Sequence, residues 1–379
     1  RQKMLIYYPE NSVVSPRNGA DVVLTIDSRY QRILEEELAR GHEKYKTESG
    51  LGIIMDCNTG AVLAMASVPT YDPSRYHEYP VEERALRRAN RPIESTFEPG
   101  SVLKPITAAW ALQHGVVSRK EVVWGGGKVH RFEGRRRVTD VRDNGPLTME
   151  KAVFKSSNIG MAVMGRRLGK QRLMNMVDAF GFARPTGIEL PGEAPGWRQT
   201  DARWSELYTS ISVSFGYEIR ISPIQLCAAF SAVINGGTLY RPRIVEKTVR
   251  GDAEQLNPVE VVGHPLRPEI SQEMREILLR VVEDDGTGKY LRMDGFRFGG
   301  KSGTSDIGKR YTKKDYLASF EAFAPYEDPQ IVVLVQMQKP RSKRYYGSWV
   351  AGPIVVQVLR RIFRVEDQPL LVKRGYDEA

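Results

Sequence analysis

The chain is predicted to fold as an α+β protein, because strand-like segments lie towards both of its ends and helical segments fill its middle. Strand patterns occur within about residues 24–67 and about residues 295–365, whereas about residues 101–235 are mostly helical and broken by Gly-rich turns. We therefore expect an antiparallel sheet built by both ends of the chain, with a helical insertion between them.

The N-terminal part is predicted to contain a helix followed by a β-hairpin. Asp27 is a suitable N-cap for the helix. The apolar residues of this helix recur on one face: Tyr30, Ile33, Leu34 and Leu38. Residues 51–56 and 61–67 are apolar runs, and Asn-Thr-Gly at 58–60 predicts the turn that joins them. Residues 68–96, rich in Pro, Arg and Glu, are expected to be irregular.

A second helix is predicted for residues 102–112, directly after a Pro-Gly break at 99–100. Proline is tolerated only near the start of a helix, so Pro105 places Ser101 at its N-terminus. Lys104 then lies one turn further along, on the same face. The free N–H groups at this end of a helix stabilise negative charge near Ser101.

The C-terminal part is predicted to add strands at 296–304, 317–324 and 331–338, with a turn at 326–329, and then an amphipathic helix at about 350–363. The main domain is expected to span residues 21–365. Residues 1–20 are interpreted as an extended lead-in without a core of its own, and residues 366–379 as a tail.

Three short motifs supply the groups that acyl transfer through a serine ester requires. Ser-Val-Leu-Lys at 101–104 pairs a hydroxyl nucleophile with an amine that can take its proton. Ser-Ser-Asn at 156–158 adds a second hydroxyl and an amide, and Lys-Ser-Gly at 301–303 adds a cation beside flexible backbone. Each motif alone is weak, because helix starts and helix caps use the same residue types.

Lys104 is the candidate general base, because a serine hydroxyl is a poor nucleophile until its proton is removed. A lysine has a reference pKa of about 10.4, so burial or a nearby cation must lower it. Lys301 is the expected second cation, if the fold brings it into the same cleft. Ser156 is a candidate relay of the proton to the leaving amine, and Asn158 a candidate ligand of the substrate's peptide backbone.

Lys301 is also expected to pair with a substrate carboxylate, assisted by the hydroxyls of Ser302 and Thr304. Gly303 would let a substrate approach the strand edge closely. Ser157 is expected to point away from the site, because alternate residues of a tight turn diverge.

Taken together and in this order, the motifs resemble the signature of penicillin-binding proteins and serine β-lactamases. Further segments are similar to class B penicillin-binding proteins, over roughly residues 20–365. These segments are 24–27 with Gln31, 55–60, 63–67, 97–105, 181–182, 186–188 with 192–193, 299–304 and 345–347. The resemblance implies a five-stranded sheet flanked by helices, an all-helical subdomain, and an active site between the two. It also implies an oxyanion hole made by the backbone N–H groups of Ser101 and Thr304.

The activity that the resemblance implies is peptidoglycan D,D-transpeptidation. Ser101 would attack the carbonyl between the two terminal D-alanines of a stem peptide, and an amine from a neighbouring strand would resolve the acyl-enzyme. β-Lactams would trap Ser101, and a D,D-carboxypeptidase side activity is conceivable. A β-lactamase and a non-catalytic penicillin sensor or scaffold stay open as alternatives, as does a role in division or in elongation.

The chain starts at Arg1 without Met and shows no signal peptide, so we expect a fragment of a longer protein. The resemblance implies a membrane anchor and a pedestal domain upstream of Arg1, and residues 1–20 would be the end of that pedestal domain. The catalytic domain would lie on the periplasmic or extracellular side of the bacterial cell membrane. Expected partners are donor and acceptor stem peptides, β-lactams, a membrane-embedded glycosyltransferase, and proteins of the division or elongation complex.

The remaining features of the sequence argue against nucleic-acid, nucleotide and metal binding. The net charge of +10 comes with dispersed basic clusters at 135–137, 166–167 and 341–344 and no nucleic-acid motif, so we expect a solvated basic surface. Residues 295–302 formally fit a phosphate-binding loop but lack the preceding apolar strand and the following helix. Cys57 and Cys227 are expected to be free buried thiols, and we expect no metal and no cofactor.

Overall fold

The computed structural model describes residues 18–283, 286–307 and 315–365. The predicted tail at 366–379 and most of the predicted lead-in at 1–20 lie outside the described residues. The strands are β1 (Asp21–Leu24), β2 (Ser49–Asp56), β3 (Val62–Val68), β4 (Val122–Trp124), β5 (Val129–Arg131), β6 (Arg137–Thr139), β7 (Leu147–Thr148), β8 (Trp197–Arg198), β9 (Ile219–Arg220), β10 (Leu239–Tyr240), β11 (Val245–Arg250), β12 (Ala253–Leu256), β13 (Val261–Gly263), β14 (Gly299–Asp306), β15 (Tyr316–Ala324) and β16 (Ile331–Gln338). The helices are α1 (Ser28–Tyr45), α2 (Val81–Arg88), α3 (Arg91–Glu94), α4 (Lys104–Gln113), α5 (Met149–Phe154), α6 (Asn158–Ala179), α7 (Tyr208–Ser214), α8 (Pro223–Ile234), α9 (Pro268–Glu283) and α10 (Gly347–Phe363).

Both ends of the chain contribute to one antiparallel sheet of five strands, in the order β14-β15-β16-β2-β3. Almost every residue of β2, β15 and β16 is buried. A strand that is buried on both faces has no solvent-facing side that needs polar residues. These segments are therefore nearly continuous apolar runs in the sequence. The α+β prediction, including the contribution of both ends to the sheet, is confirmed.

Helices cover both faces of this sheet. Successive residues of a strand point to opposite faces, so Ile53 packs in the core shared with the inserted helices, and Ile54 in the core shared with α1 and α10. Burying a side chain of this size contributes roughly 1.5–3 kcal/mol to folding. The two cores together fix the sheet between the helical insertion and the terminal helices.

The predicted start of α1 is confirmed. The Asp27 carboxylate accepts hydrogen bonds from the backbone N–H groups of Arg29 at 2.8 Å and Tyr30 at 3.3 Å. These bonds satisfy two of the N–H groups that a helix start leaves without a partner.

The structure differs from the sequence-based expectation for residues 68–96, which contain α2 and α3 as well as turns. No residue of α2 is buried, so no apolar face marks this helix in the sequence. Glu82 and Glu83 lie in its first turn and Arg87 and Arg88 in its last, the order that complements the helix dipole.

Two further segments differ in detail. The helical insertion also carries short two-stranded sheets, β4 with β7 and β5 with β6, whose strands are too short to leave a clear pattern. The strand expected at 296–304 begins at Gly299, because Gly295, with φ of 75°, and a bridge between Met293 and Phe296 form a tight turn before it.

Both cysteines are free and buried, as expected. Among the described residues, no cluster of His, Cys, Asp and Glu side chains is arranged to hold a metal ion. Within the same part of the chain, no helix has the length and apolar character needed to cross a membrane.

Glu321 of β15 is a fully buried carboxyl group, and neither of its oxygens has a hydrogen-bond partner. It lies directly opposite Lys301 of β14 and Leu334 of β16 in the sheet. Burial raises its pKa well above the usual 4.5, because a charge without a partner is costly in a low-dielectric interior. The folded protein therefore holds a proton on Glu321 that the unfolded chain releases.

We expect this proton to make stability depend on pH. Since the folded pKa of Glu321 lies above the unfolded one, its contribution is present below about pH 4.5 and is lost as pH rises. Glu321→Gln should therefore gain free energy of unfolding relative to the parent as pH rises above about 4.5, by up to ~1.4 kcal/mol for each pH unit. Urea unfolding at several pH values measures this, with the exposed Glu82→Gln as the control. A constant difference at all pH values would contradict it.

Candidate active site

Ser101 lies in a 3-10 turn, Gly100–Leu103, which leads into α4 at Lys104. The α-helix thus begins two residues later than predicted, and Pro105 lies in its first turn, where its missing N–H costs nothing. Ser101 is partly exposed and lines a cleft, as a nucleophile must.

The turn that carries Ser101 is held by a close approach of two glycines. The N–H of Gly100 donates to the carbonyl of Gly216 at 2.9 Å. Gly216 has φ of 88°, and a Cβ on it would lie 2.2 Å from the carbonyl oxygen of Gly100. Only glycine meets both requirements. The sequence-based analysis missed Gly216, because the contact joins residues far apart in the chain.

Lys104 is fully buried, and its ammonium group is surrounded by neutral acceptors. It donates to the carbonyl of Ser156 at 2.7 Å, to Asn158 Oδ1 at 2.8 Å and to Ser156 Oγ at 3.3 Å. Burial lowers the pKa of Lys104 to about 7, against the charge of Asp140, which raises it. With this pKa, a substantial fraction of the side chain is a neutral amine at neutral pH, as the base role requires.

Lys301 of β14 reaches the same hydroxyl group from the opposite side. It is also fully buried, and it donates to Ser156 Oγ at 2.9 Å and to the carbonyl of Ser302 at 2.8 Å. Burial lowers its pKa well below the usual value, and the charge of Lys104 lowers it further. The expectation that the fold unites Lys104, Ser156 and Lys301 therefore agrees with the structure.

Asp140, which the sequence-based analysis missed, holds the second motif in place. Its carboxylate accepts from Ser157 Oγ at 2.5 Å, from Asn158 N at 2.5 Å and from Ile159 N at 3.1 Å. Ser157, the N-cap of α6, also accepts from Gly160 N. Its hydroxyl thus bonds to neither lysine, although the residue itself lines the cavity. No local pattern could have identified Asp140, because it acts across 17 residues of the chain.

The exposed edge of β14 forms another wall of the site. The hydroxyls of Ser302 and Thr287 lie 2.9 Å apart, and Thr304 Oγ1 accepts from the N–H of Gly347 at 2.9 Å. A Cβ on Gly303 would lie 2.9 Å from Val102 Cγ1, so glycine lets the strand pass close to the nucleophile turn. The Thr304 hydroxyl keeps its own proton for a ligand.

These residues line a cavity of about 440 Å³. Tyr290 and Trp349, stacked with ring centroids 4.0 Å apart, form part of its wall. The predicted residues that line it are Ser101, Ser156, Asn158, Ser302, Gly303 and Thr304. Lys301 is 0% exposed and donates to Ser156 Oγ and the carbonyl of Ser302, and its expected pairing with a substrate carboxylate stays a prediction.

Glu98 is the acid nearest to Ser101 in sequence, but it does not line this cavity. Its carboxylate accepts from the N–H of Glu218 at 3.0 Å, and its carbonyl accepts from Ser305 Oγ at 3.1 Å. These two contacts brace the turn that carries Ser101 against β14 and the residue after Tyr217.

Comparison with known proteins identifies the family. Residues 50–360 match the model of the penicillin-binding protein transpeptidase domain. The chain belongs to this family. Stage V sporulation protein D of Bacillus subtilis is 34% identical over 91% of the chain and 54% of its own length. Peptidoglycan D,D-transpeptidase FtsI of Escherichia coli is 31% identical over 91% of the chain and 56% of its own length. The chain spans about half the length of these relatives.

Solved structures agree with this assignment. The transpeptidase domain of Burkholderia pseudomallei penicillin-binding protein 3 superposes with a TM-score of 0.76 at 28% identity, covering 92% of this chain and 97% of that one. Penicillin-binding protein 3 of Mycobacterium tuberculosis superposes with a TM-score of 0.82 at 27% identity, covering 95% and 84%. The fold and the family inferred from the sequence motifs are confirmed.

We expect β-lactam acylation to rise with pH through about 7, because it requires the neutral amine of Lys104, whose pKa lies there. Lys104→Ala should slow acylation by ~10²–10⁴-fold, and Lys104→Arg should fail as well, since a guanidinium does not lose its proton. Stopped-flow acylation rates test this, with the exposed Lys44→Ala as the control. An acylation rate for Lys104→Ala within about threefold of the parent rate would show that another group accepts the proton of the Ser101 hydroxyl.

Gly216→Ala should slow acylation more than a substitution that only strains the backbone at a positive φ. The reason is that the new Cβ would displace the carbonyl of Gly100, next to Ser101. Gly115→Ala is the matched control, since Gly115 has a similar positive φ of 62° with nothing within 4 Å of a new Cβ. Both variants should lose ~1–3 kcal/mol of stability from strain. Equal acylation rates for the two variants would show that the turn does not depend on this contact.

Proposed function

We propose that the chain is a serine-type peptidoglycan D,D-transpeptidase whose nucleophile is Ser101. The observation that carries this proposal is the Ser156 hydroxyl, which is bonded to two buried lysines at 3.3 and 2.9 Å in the cavity that Ser101 lines. A hydroxyl between two amines of lowered pKa is suited to pass a proton in either direction.

In the acylation step, Ser101 Oγ attacks the carbonyl between the two terminal D-alanines of a stem peptide. Its proton passes to the neutral amine of Lys104. The C–N bond then breaks, and the leaving D-alanine amine takes a proton from Ser156, which is replenished by Lys104. In the second step an amine of a neighbouring stem peptide attacks the ester, its proton follows the reverse route, and Ser101 regains its hydroxyl.

Backbone N–H groups of Ser101 and Thr304 are the proposed oxyanion hole. The close passage of Gly303 against Val102 supports this pairing, because it brings the edge of β14 next to the nucleophile turn. Donors placed for the developing negative charge are worth ~2.7–4 kcal/mol each in related acyl transfers.

The proposed carboxylate site is made by the hydroxyls of Ser302 and Thr304, backed by the charge of Lys301. Lys301 Nζ donates to the carbonyl of Ser302. The amine therefore lies next to the residue that carries one of these hydroxyls, although it is itself buried. Asn158 Oδ1 accepts from Lys104, and Asn158 Nδ2 donates one hydrogen to the carbonyl of Thr139 at 3.1 Å. The second Nδ2 hydrogen is the proposed donor to the substrate's peptide backbone.

The alternatives of a β-lactamase and a sensor share the acylation half of this chemistry. Among the described residues that line the cavity, Asp140 is the only carboxylate, and three donors already occupy it. It is therefore poorly placed to activate a water molecule for deacylation. This supports a long-lived acyl-enzyme, which a transpeptidase needs until the acceptor amine arrives.

Because peptidoglycan lies outside the cytoplasmic membrane, this function places the domain on the periplasmic or extracellular side, held there by an N-terminal membrane anchor. A membrane-embedded glycosyltransferase, which would supply the nascent strand, and proteins of the division or elongation complex are the proposed partners.

The test of this function is intact-mass measurement after exposure to a penicillin, followed by time in buffer at neutral pH. We expect one adduct, on Ser101, with a half-life of minutes or longer, and none on Ser101→Ala. A thioester that mimics the D-Ala-D-Ala donor should be turned over in the presence of an acceptor amine.

Each alternative has its own outcome in the same assay. Several penicillin turnovers per second would make the protein a β-lactamase. A stable adduct without turnover of any donor would make it a sensor. An adduct on Ser156, or on the Ser101→Ala protein, would assign the nucleophile elsewhere.

A further inference from the structure

The hairpin of β5 and β6 carries a cationic face that the proposed acyl transfer does not use. Arg131 and Arg137 lie directly opposite each other in its register, and both are exposed. Like charges in directly opposite positions destabilise a hairpin. The pair is therefore a candidate site for an anionic ligand, which would offset the repulsion.

Two exposed neighbours, Lys128 and Arg135, extend this face. We call these four residues, Lys128, Arg131, Arg135 and Arg137, the hairpin cations. Within the described residues none of them forms an ion pair with a carboxylate. Glu133, the acid in the turn of the hairpin, pairs with Arg166 at 3.3 Å instead. The hairpin cations are therefore unneutralised and open to solvent.

The opposite face of the hairpin anchors it. His130 lies between the rings of Trp124 and Phe132, at centroid distances of 4.4 and 4.3 Å, and Val138 is buried. Side chains alternate between the two faces of a strand, so this packing directs Arg131 and Arg137 outward. This packing holds the guanidinium groups of Arg131 and Arg137 in place beside the cleft.

The hairpin is continuous with the wall of the cleft. Thr139, the last residue of β6, accepts a hydrogen bond from the Asn158 side chain through its carbonyl, and the next residue, Asp140, lines the cavity. Arg142, two residues further on, is exposed and also lines it. A polymer whose peptide enters the cleft would pass close to this hairpin.

We propose that the hairpin cations bind a second, uncross-linked stem peptide of the same donor strand through its terminal carboxylate. This inference rests on the proposed function, which requires donor peptides that end in free D-alanine carboxylates at intervals along one strand. Paired guanidinium groups suit a carboxylate, because their planar N–H groups match its two oxygens. The enzyme would thus favour strands that still carry several unreacted peptides.

The test compares two donors, a single soluble stem peptide and an uncross-linked glycan strand bearing many such peptides, by kcat/KM per stem peptide. Arg131→Gln/Arg137→Gln should lower the polymer-to-monomer ratio by roughly two- to tenfold, the scale for losing two exposed charge pairs. Arg131→Lys/Arg137→Lys should retain most of the preference. The exposed pair Arg32→Gln/Arg250→Gln, on α1 and β11, removes the same charge elsewhere and should change nothing.

A second measurement keeps the inference separate from the proposed function. The Ser101→Ala protein should bind the uncross-linked strands in a sedimentation assay, more weakly with rising salt, and lose binding when the Arg131→Gln/Arg137→Gln changes are added. Failure of all donors to acylate the parent, with this binding intact, would refute the function alone.

Three results would overturn the inference. The first is an unchanged polymer-to-monomer ratio in Arg131→Gln/Arg137→Gln. The second is an equal loss of penicillin acylation in that variant, which would mean that the hairpin shapes the cleft itself. The third is binding to vesicles of anionic phospholipid with no binding to the strands, which would assign the hairpin cations to a lipid surface.

Discussion

The hydroxyl of Ser156 is the point at which the two halves of the site meet. Lys104 reaches it from the helical insertion, and Lys301 reaches it from the edge of the sheet. Two ammonium groups around one hydroxyl repel each other, and burying either is costly. Besides the Ser156 hydroxyl, the direct hydrogen-bond acceptors of the two ammonium groups are neutral: two carbonyls and the Asn158 amide. The Asp140 carboxylate acts on Lys104 only through its charge. The lowered pKa of each lysine follows directly, because a buried ammonium with neutral partners is stabilised less than one in an ion pair.

The three motifs depend on supports that lie elsewhere in the chain. Gly216 fixes the turn that carries Ser101, Asp140 fixes the start of α6 that carries Asn158, and the N–H of Gly347 orients the Thr304 hydroxyl. A catalytic group must be held in position by its neighbours for the chemistry to gain from proximity. The supports contribute nothing to the reaction directly, yet the geometry of the site rests on them.

Features set by neighbouring residues could be predicted from the sequence, whereas supports that join distant residues could not. Local sequence patterns predicted several elements to within about two residues. These are the cap of α1, the hairpin of β2 and β3, and the strands β15 and β16. The motif residues were found because their order is a signature. Asp140, Gly216 and Thr287 were not, since each acts on a residue distant in sequence. The full burial of Lys301 was missed for a related reason: a strand position does not tell how deeply the end of a long side chain lies.

Charge on this protein therefore serves two different purposes, depending on burial. Inside the cleft, burial lowers the pKa of both lysines, that of Lys104 to about 7, and shields them from salt, because screening by ions acts mainly on exposed charges. Guanidinium groups in general do not titrate in the physiological range, and those on the hairpin beside the cleft are exposed, so salt screens them. In the proposed enzyme, the chemical step should thus follow pH and be largely indifferent to ionic strength. Recognition of the polymer should follow ionic strength and be indifferent to pH, so the two contributions to the rate can be separated by changing one condition at a time.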